Sequence, residues 1–151
     1  MYENIYNYRL KEALKLALKV NSYLKNQDNL YDIKDFRFYD VSRFNINGEV
    51  FACTSKDQFG YKYIFINQKY QKDDLEPLSC LISHELNHVL DKPTLEEEIK
   101  ATIAEVETWK VLKHENVKPS ELTDRLDKLL HIYQEGKIKE YIKSQNIYKN
   151  I

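Results

Sequence analysis

The chain has 151 residues, 42% hydrophobic and 31% charged, with 23 basic side chains against 24 acidic ones. That length suits one domain with a modest core, and the near-neutral balance offers no electrostatic case for nucleic acid or an acidic membrane surface. No run approaches the roughly 18–20 apolar residues a membrane span needs, and the first residues lack a basic start followed by an apolar core, so neither a membrane segment nor a secretory signal is expected. Cys53 and Cys80 then read as reduced thiols of a cytoplasmic protein, Cys80 as a small packed side chain. Twelve tyrosines beside three glycines and three prolines suggest a compact fold with little loop.

Residues 5–24 read as a first helix, with Leu10, Leu14, Ala17, Val20 and Leu24 at helical spacing, and 26–29 as a polar break. From Phe36 the period becomes strand-like, over 36–41, 49–55 and 61–67, with turns at Asn47-Gly48 and Asp57-Gln58-Phe59-Gly60. Residues 78–90 read as one amphipathic helix with Leu78, Ile82, Leu86, Val89 and Leu90 as its apolar stripe, stopped near Asp91-Lys92-Pro93. Leu95, Ile99, Ile103, Val106 and Leu112 mark a second long helix ending near His114 to Asn116. Ser120 is the expected N-cap of a third, with Leu122, Leu126, Leu129, Leu130 and Tyr133 apolar and Gly136 as its stop. Ile138, Tyr141 and Ile142 suggest a last short helix in a lysine-rich tail, 136–151, expected to pack loosely. The pattern predicts an α+β single domain: an N-terminal helix, a small three-stranded sheet, then the helices.

The helix over 78–90 carries His84-Glu85-Leu86-Asn87-His88, an HExxH sequence. Residues four apart share a helix face, so the two imidazoles can grip one metal ion, while Glu85 lies roughly 100° around the helix, able to reach a water without being a ligand. The histidines fall nearly opposite the apolar stripe, toward whatever covers that side. This is the layout of a zinc peptidase, with Zn2+ as the expected cofactor.

A catalytic zinc usually takes three protein ligands. Glu96, Glu97, Glu98, Glu105 and Glu107 are available on the next helix. Spacing analogy favours Glu107, but the Lys92-Pro93 turn is so short that the two helices must be antiparallel neighbours. With about 1.5 Å of rise per residue, the level of His88 falls near Glu98, and Glu105 sits roughly 10 Å further along, beyond His84. Glu107 lies on the other side of the helix. Glu98 is the expected third ligand, Glu105 the alternative, and the other glutamates read as solvated surface and as favourable charge in the first turn.

Glu98-Ile99-Lys100-Ala101-Thr102 resembles the E-x-x-(A/S)-(D/N) element that carries the third ligand in gluzincins, the thermolysin-like metallopeptidases. Phe51-Ala52-Cys53 resembles the Asn-Ala-Phe-Ala strand that precedes HExxH in several gluzincin families. In size and helix order the chain is most similar to the minigluzincins and to small phage- and plasmid-encoded gluzincins, over residues 49–109. The resemblance implies a zincin-like fold, zinc on His84, His88 and Glu98, Glu85 as general base, and an edge strand around Phe51, Ala52 and Cys53 that pairs with an extended peptide substrate. It also puts Thr102 where the family has an Asp or Asn that orients a ligating histidine, a weaker partner that Glu105 could replace. His131 and Tyr133 are candidates for stabilising an oxyanion, though an exposed His and an apolar-face Tyr explain them as well. The competing reading is a zinc-binding regulatory or interaction module of a mobile element with little peptidase activity.

Overall fold

Leu10, Leu14 and Leu18 recur every fourth residue, and with Ala13 and Ala17 they form the buried face of helix α1, Tyr8–Val20, whose N-cap Asn7 accepts from the Leu10 amide. A computed structural model of the chain describes residues 4–26, 32–44, 50–88 and 94–145. The turn expected at Asn47-Gly48, most of the polar break at 26–29, the bend at Asp91-Lys92-Pro93 and the end of the tail lie outside the described residues.

Three strands follow α1: β1 (Ile33–Tyr39), β2 (Ala52–Lys56) and β3 (Lys62–Asn67). They form a mixed sheet in the order β1-β3-β2, parallel between β1 and β3 and antiparallel between β2 and β3. The β2–β3 hairpin turns where the sequence places it. Asp57 Oδ1 accepts from the amides of Phe59 and Tyr61 at 2.9 and 3.0 Å, and Gly60 takes a φ of +83° that favours glycine. Strand alternation sends Ile64 and Ile66 into the core, with Thr54 and Ala52 opposite them on the same face. Cys53 and Ser55 point to the other face.

Helices α2 (Leu75–Leu86), α3 (Leu95–Leu112), α4 (Glu121–Gln134) and α5 (Ile138–Ser144) complete an α+β chain of five helices and one sheet among the described residues. Ser120 caps α4 through a reciprocal bond pair with Thr123, and Gly136 ends the turn beyond it at φ +73°. One core joins α1, the inner sheet face and α2 through Leu14, Phe36, Ile64, Leu78 and Ile82. A smaller cluster joins α3, α4 and α5 through Val106, Leu129, Ile138 and Ile142, so the start of the lysine-rich tail is packed. None of the helices among the described residues is long and apolar enough to cross a membrane.

Several elements differ from the sequence pattern: α1 is Tyr8–Val20 rather than 5–24, and β1 is Ile33–Tyr39 rather than 36–41. The helix expected over 78–90 begins earlier and closes at Leu86, with Asn87 as its C-cap, leaving Val89 and Leu90 outside the described residues. In α3, the Leu95, Ile99 and Ile103 stripe is only partly buried, whereas Glu97, Glu98, Ala101, Thr102, Glu105 and Thr108 are buried. The polar side of α3 is its inner side, because it faces α2 and the histidines.

Asn21, the C-cap of α1, ties three helices behind that interface. Its amide nitrogen lies 3.1 Å from Ala17 O, 3.1 Å from Ser83 Oγ on α2 and 2.8 Å from Thr108 Oγ1 on α3. Both hydroxyls spend their own hydrogens on backbone carbonyls one turn back, so each is free to accept. Asn21→Ala removes all three contacts in a buried place, and urea unfolding should show a loss of about 2 kcal/mol.

Candidate metal centre

His84 occupies the last turn of α2, and His88 follows the cap. The backbone tightens there: the amides of Asn87 and His88 donate three residues back, to the carbonyls of His84 and Glu85, each at 3.1 Å. The side chain of Asn87 secures the turn by donating to Ser83 O at 2.7 Å. The two rings still share one side, with centroids 5.1 Å apart.

Both nitrogens of each imidazole meet a carboxylate from α3. His84 Nδ1 lies 2.9 Å from Glu105 Oε1, and His88 Nδ1 lies 2.9 Å from Glu97 Oε1. Glu98 spans the pair, with Oε2 3.4 Å from His84 Nε2 and Oε1 2.9 Å from His88 Nε2. Passing from His84 to His88 along α2 corresponds to passing from Glu105 back to Glu97 along α3, which makes the helices antiparallel at this contact. Glu105 therefore lies level with His84, on its far nitrogen, rather than beyond it. A glutamate side chain and an imidazole together bridge the axial offset that backbone rise alone suggests.

One donor atom each from His84, Glu85 and His88 also lie within 4.8 Å of one another. Glu85 is thus near enough to join a donor set, but its Oε2 accepts from Thr54 Oγ1 at 3.0 Å, whereas each oxygen of Glu98 faces a different Nε2. The direct contacts favour Glu98 as the third donor. A carboxylate at each Nδ1 favours a hydrogen there, so that with a cation bound Nε2 of each ring would be its donor atom. Two such nitrogens and a carboxylate match the ligand set of a zinc site that keeps a position open.

The electrostatics suit a cation. Glu85, Glu97, Glu98 and Glu105 are each 8% exposed or less. Burial alone would weaken His84 as a base, but its bonds to Glu105 and Glu98 prevail and lift its pKa to about 10. His88 moves up for the same reason, with burial opposing and Glu98 and Glu85 prevailing. Burial would also raise Glu98 and Glu105. The two imidazoles hold Glu98 well below the usual carboxylate range, and Arg125 followed by His84 holds Glu105 down. Arg125 of α4 pairs with Glu105, Nη1 to Oε2, with Nη2 3.4 Å from Oε1.

Other residues singled out in the sequence fall as follows. Thr102 is buried on α3, and the groups at the histidine Nδ1 atoms are Glu105 and Glu97. Phe51 stacks on Tyr70 at 5.6 Å, just before β2, and Ala52 and Cys53 begin that strand. Burial, then Glu85, pushes the Cys53 thiol up to about 12, and Cys80 is fully buried with its thiol raised mainly by burial. Glu107 accepts from the Tyr133 hydroxyl at 2.9 Å, and the exposed His131 pairs with Glu135 at 2.6 Å. Sequence reasoning passed over Glu97, Thr54 and Arg125. Glu97 was legible as the neighbour of Glu98, since adjacent helical residues diverge by only about 100° and long side chains can still converge on one partner. Thr54 was legible from strand alternation. Arg125 carries no local signal.

Comparison with protein-family models, curated proteins and solved structures finds no match.

The metal-free site makes stability depend on pH from both sides. The raised His84 and His88 contribute stability that is complete below their ordinary pKa of 6.5 and lost as pH rises through their elevated values, about 10 for His84. The lowered Glu98 and Glu105 contribute stability that is present above their ordinary 4.5 and lost as pH falls below it. Thermal melts of chelator-treated protein should peak between these limits and decline on the alkaline side, and His84→Asn should flatten that alkaline limb.

Proposed function

We propose that the chain is a zinc-dependent peptidase of the gluzincin type, with His84, His88 and Glu98 holding the ion and Glu85 as general base. The observation that carries this reading is the double engagement of the histidines. Glu98 meets both Nε2 atoms, while Glu105 and Glu97 hold the two Nδ1 atoms. A zincin-like architecture is in keeping with the element order, in which a hairpin leads into the HExxH helix and an antiparallel glutamate helix covers it.

When bound, the ion would supply a Lewis acid that polarises a scissile carbonyl and acidifies water. The Thr54 hydroxyl holds one oxygen of Glu85 and leaves the other to take a proton from the attacking water and pass it to the leaving amine. Strand β2 lies at the edge of the sheet, and the same strand carries Thr54. As the outer strand of the sheet among the described residues, it suits an extended peptide or protein substrate added as a further strand, with Phe51, Ala52 and Cys53 alongside it. Two free cysteines accord with a reducing, cytoplasmic setting.

One observation favours the second reading, a zinc-binding regulatory or interaction module of a mobile element. The groups considered for oxyanion stabilisation, His131 and Tyr133, are bonded to Glu135 and Glu107 rather than to the histidine cluster.

Metal analysis and a peptide-library assay separate the two. Wild-type protein should carry stoichiometric zinc, and His88→Ala should lose it. Glu85→Gln should keep its zinc while cleavage falls about 10²–10⁴-fold, the share usual for a positioned general base. Stoichiometric zinc with equal, background-level cleavage by wild type and Glu85→Gln would decide for the binding module.

A further inference from the structure

The carboxylate of Glu105 is fully buried, and it touches two groups, His84 Nδ1 and the Arg125 guanidinium. A histidine that donates Nε2 to a metal is neutral, and Glu105 then keeps Arg125 as the full positive charge in contact with it. A buried carboxylate deprived of its countercharge is strongly destabilised, and it recovers by turning toward another donor or by drawing water in. Either change alters the hydrogen bond that sets the His84 tautomer and ring angle.

Arg125 is itself held in a defined pose. Its guanidinium lies over the Phe51 ring, 4.4 Å from the centroid, and Phe51 stacks in turn on Tyr70. The two nitrogens Nη1 and Nη2 address the two oxygens of Glu105, a planar fork that lysine cannot reproduce. Arg125 comes from α4, whereas the histidines and glutamates come from α2 and α3, so it ties a third helix to the site.

We propose that Arg125 is a positioning residue for the metal centre, acting through Glu105 to hold the His84 ring in the orientation that presents Nε2 for metal binding. The inference rests on the zinc reading above. Arg125 meets the site at the Glu105 carboxylate, and its influence should pass through that group.

The test compares zinc affinity and the visible spectrum of the cobalt(II)-substituted protein in wild type, Arg125→Met, Arg125→Lys, Glu105→Gln and the double variant Arg125→Met/Glu105→Gln. Zinc affinity of Arg125→Met should fall about 10–100-fold, the usual effect of losing a residue behind a ligating histidine, and its cobalt bands should shift. Arg125→Lys should fall between Arg125→Met and wild type, because it restores charge without the fork. Glutamine at 105 still accepts the His84 hydrogen and needs no countercharge, so adding Arg125→Met to Glu105→Gln should change affinity less than about twofold, the non-additivity expected of groups acting in series. Unchanged affinity and spectrum in Arg125→Met, whatever its melting temperature, would assign Arg125 a merely structural role. Equal losses from Arg125→Met in both backgrounds would show that it does not act through Glu105. If wild type itself takes up no zinc, the metal reading falls first and this inference falls with it.

Discussion

Two imidazoles enclosed between antiparallel helices set the terms for the rest of the molecule. Each has two ring nitrogens, and burial leaves little water to satisfy them, so protein groups must do so. Here four nitrogens meet three carboxylates, because Glu98 serves both Nε2 atoms while Glu105 and Glu97 take one Nδ1 each. That requirement explains why α3 buries Glu97, Glu98 and Glu105 and leaves Leu95, Ile99 and Ile103 only partly covered. It also explains why α4 must bring Arg125, since a fully buried carboxylate needs lasting charge compensation.

The polar interface is backed by hydrogen bonds rather than by apolar packing alone. Asn21 joins α1, α2 and α3 through Ser83 and Thr108, and Ser79 Oγ lies 2.9 Å from Ala13 O on α1. Such a network fixes the axial register of α2 against its neighbours, on which the alignment of His84 with Glu105 and of His88 with Glu97 depends. On the other side of Glu85, the hairpin aims the Thr54 hydroxyl at its carboxylate. Sheet and helices thus each contribute one constraint to the same cluster, the helices through the histidines and the sheet through Glu85.

The site's two roles draw on different parts of this arrangement. Holding a cation requires the convergence of His84, His88 and Glu98 in a strongly anionic pocket. Hydrolysing a peptide would require, in addition, a positioned base and an accessible strand edge, which Glu85 with Thr54 and the outer position of β2 are suited to supply. The first role rests on a dense set of direct contacts and the second on fewer, so zinc binding is the better supported half of the proposed function.

Much of this was legible in the residue order. The middle of helix α1, the Asp57 to Gly60 turn, the Ser120 cap and the Gly136 stop follow from local stereochemistry and appear where the pattern puts them, while the first strand lies over Ile33–Tyr39 rather than 36–41. The His84 and His88 pair and the choice of Glu98 over Glu107 follow from helical geometry and an antiparallel neighbour. What the order of residues could not reveal was which face of α3 turns inward, since the apolar stripe pointed one way and the histidines of another helix pulled the other. Nor could it show Arg125 of a further helix reaching Glu105. Local sequence determines which groups share a helix or strand face. Only tertiary packing decides which faces meet, because the desolvation of a charge depends on partners that lie far away along the chain.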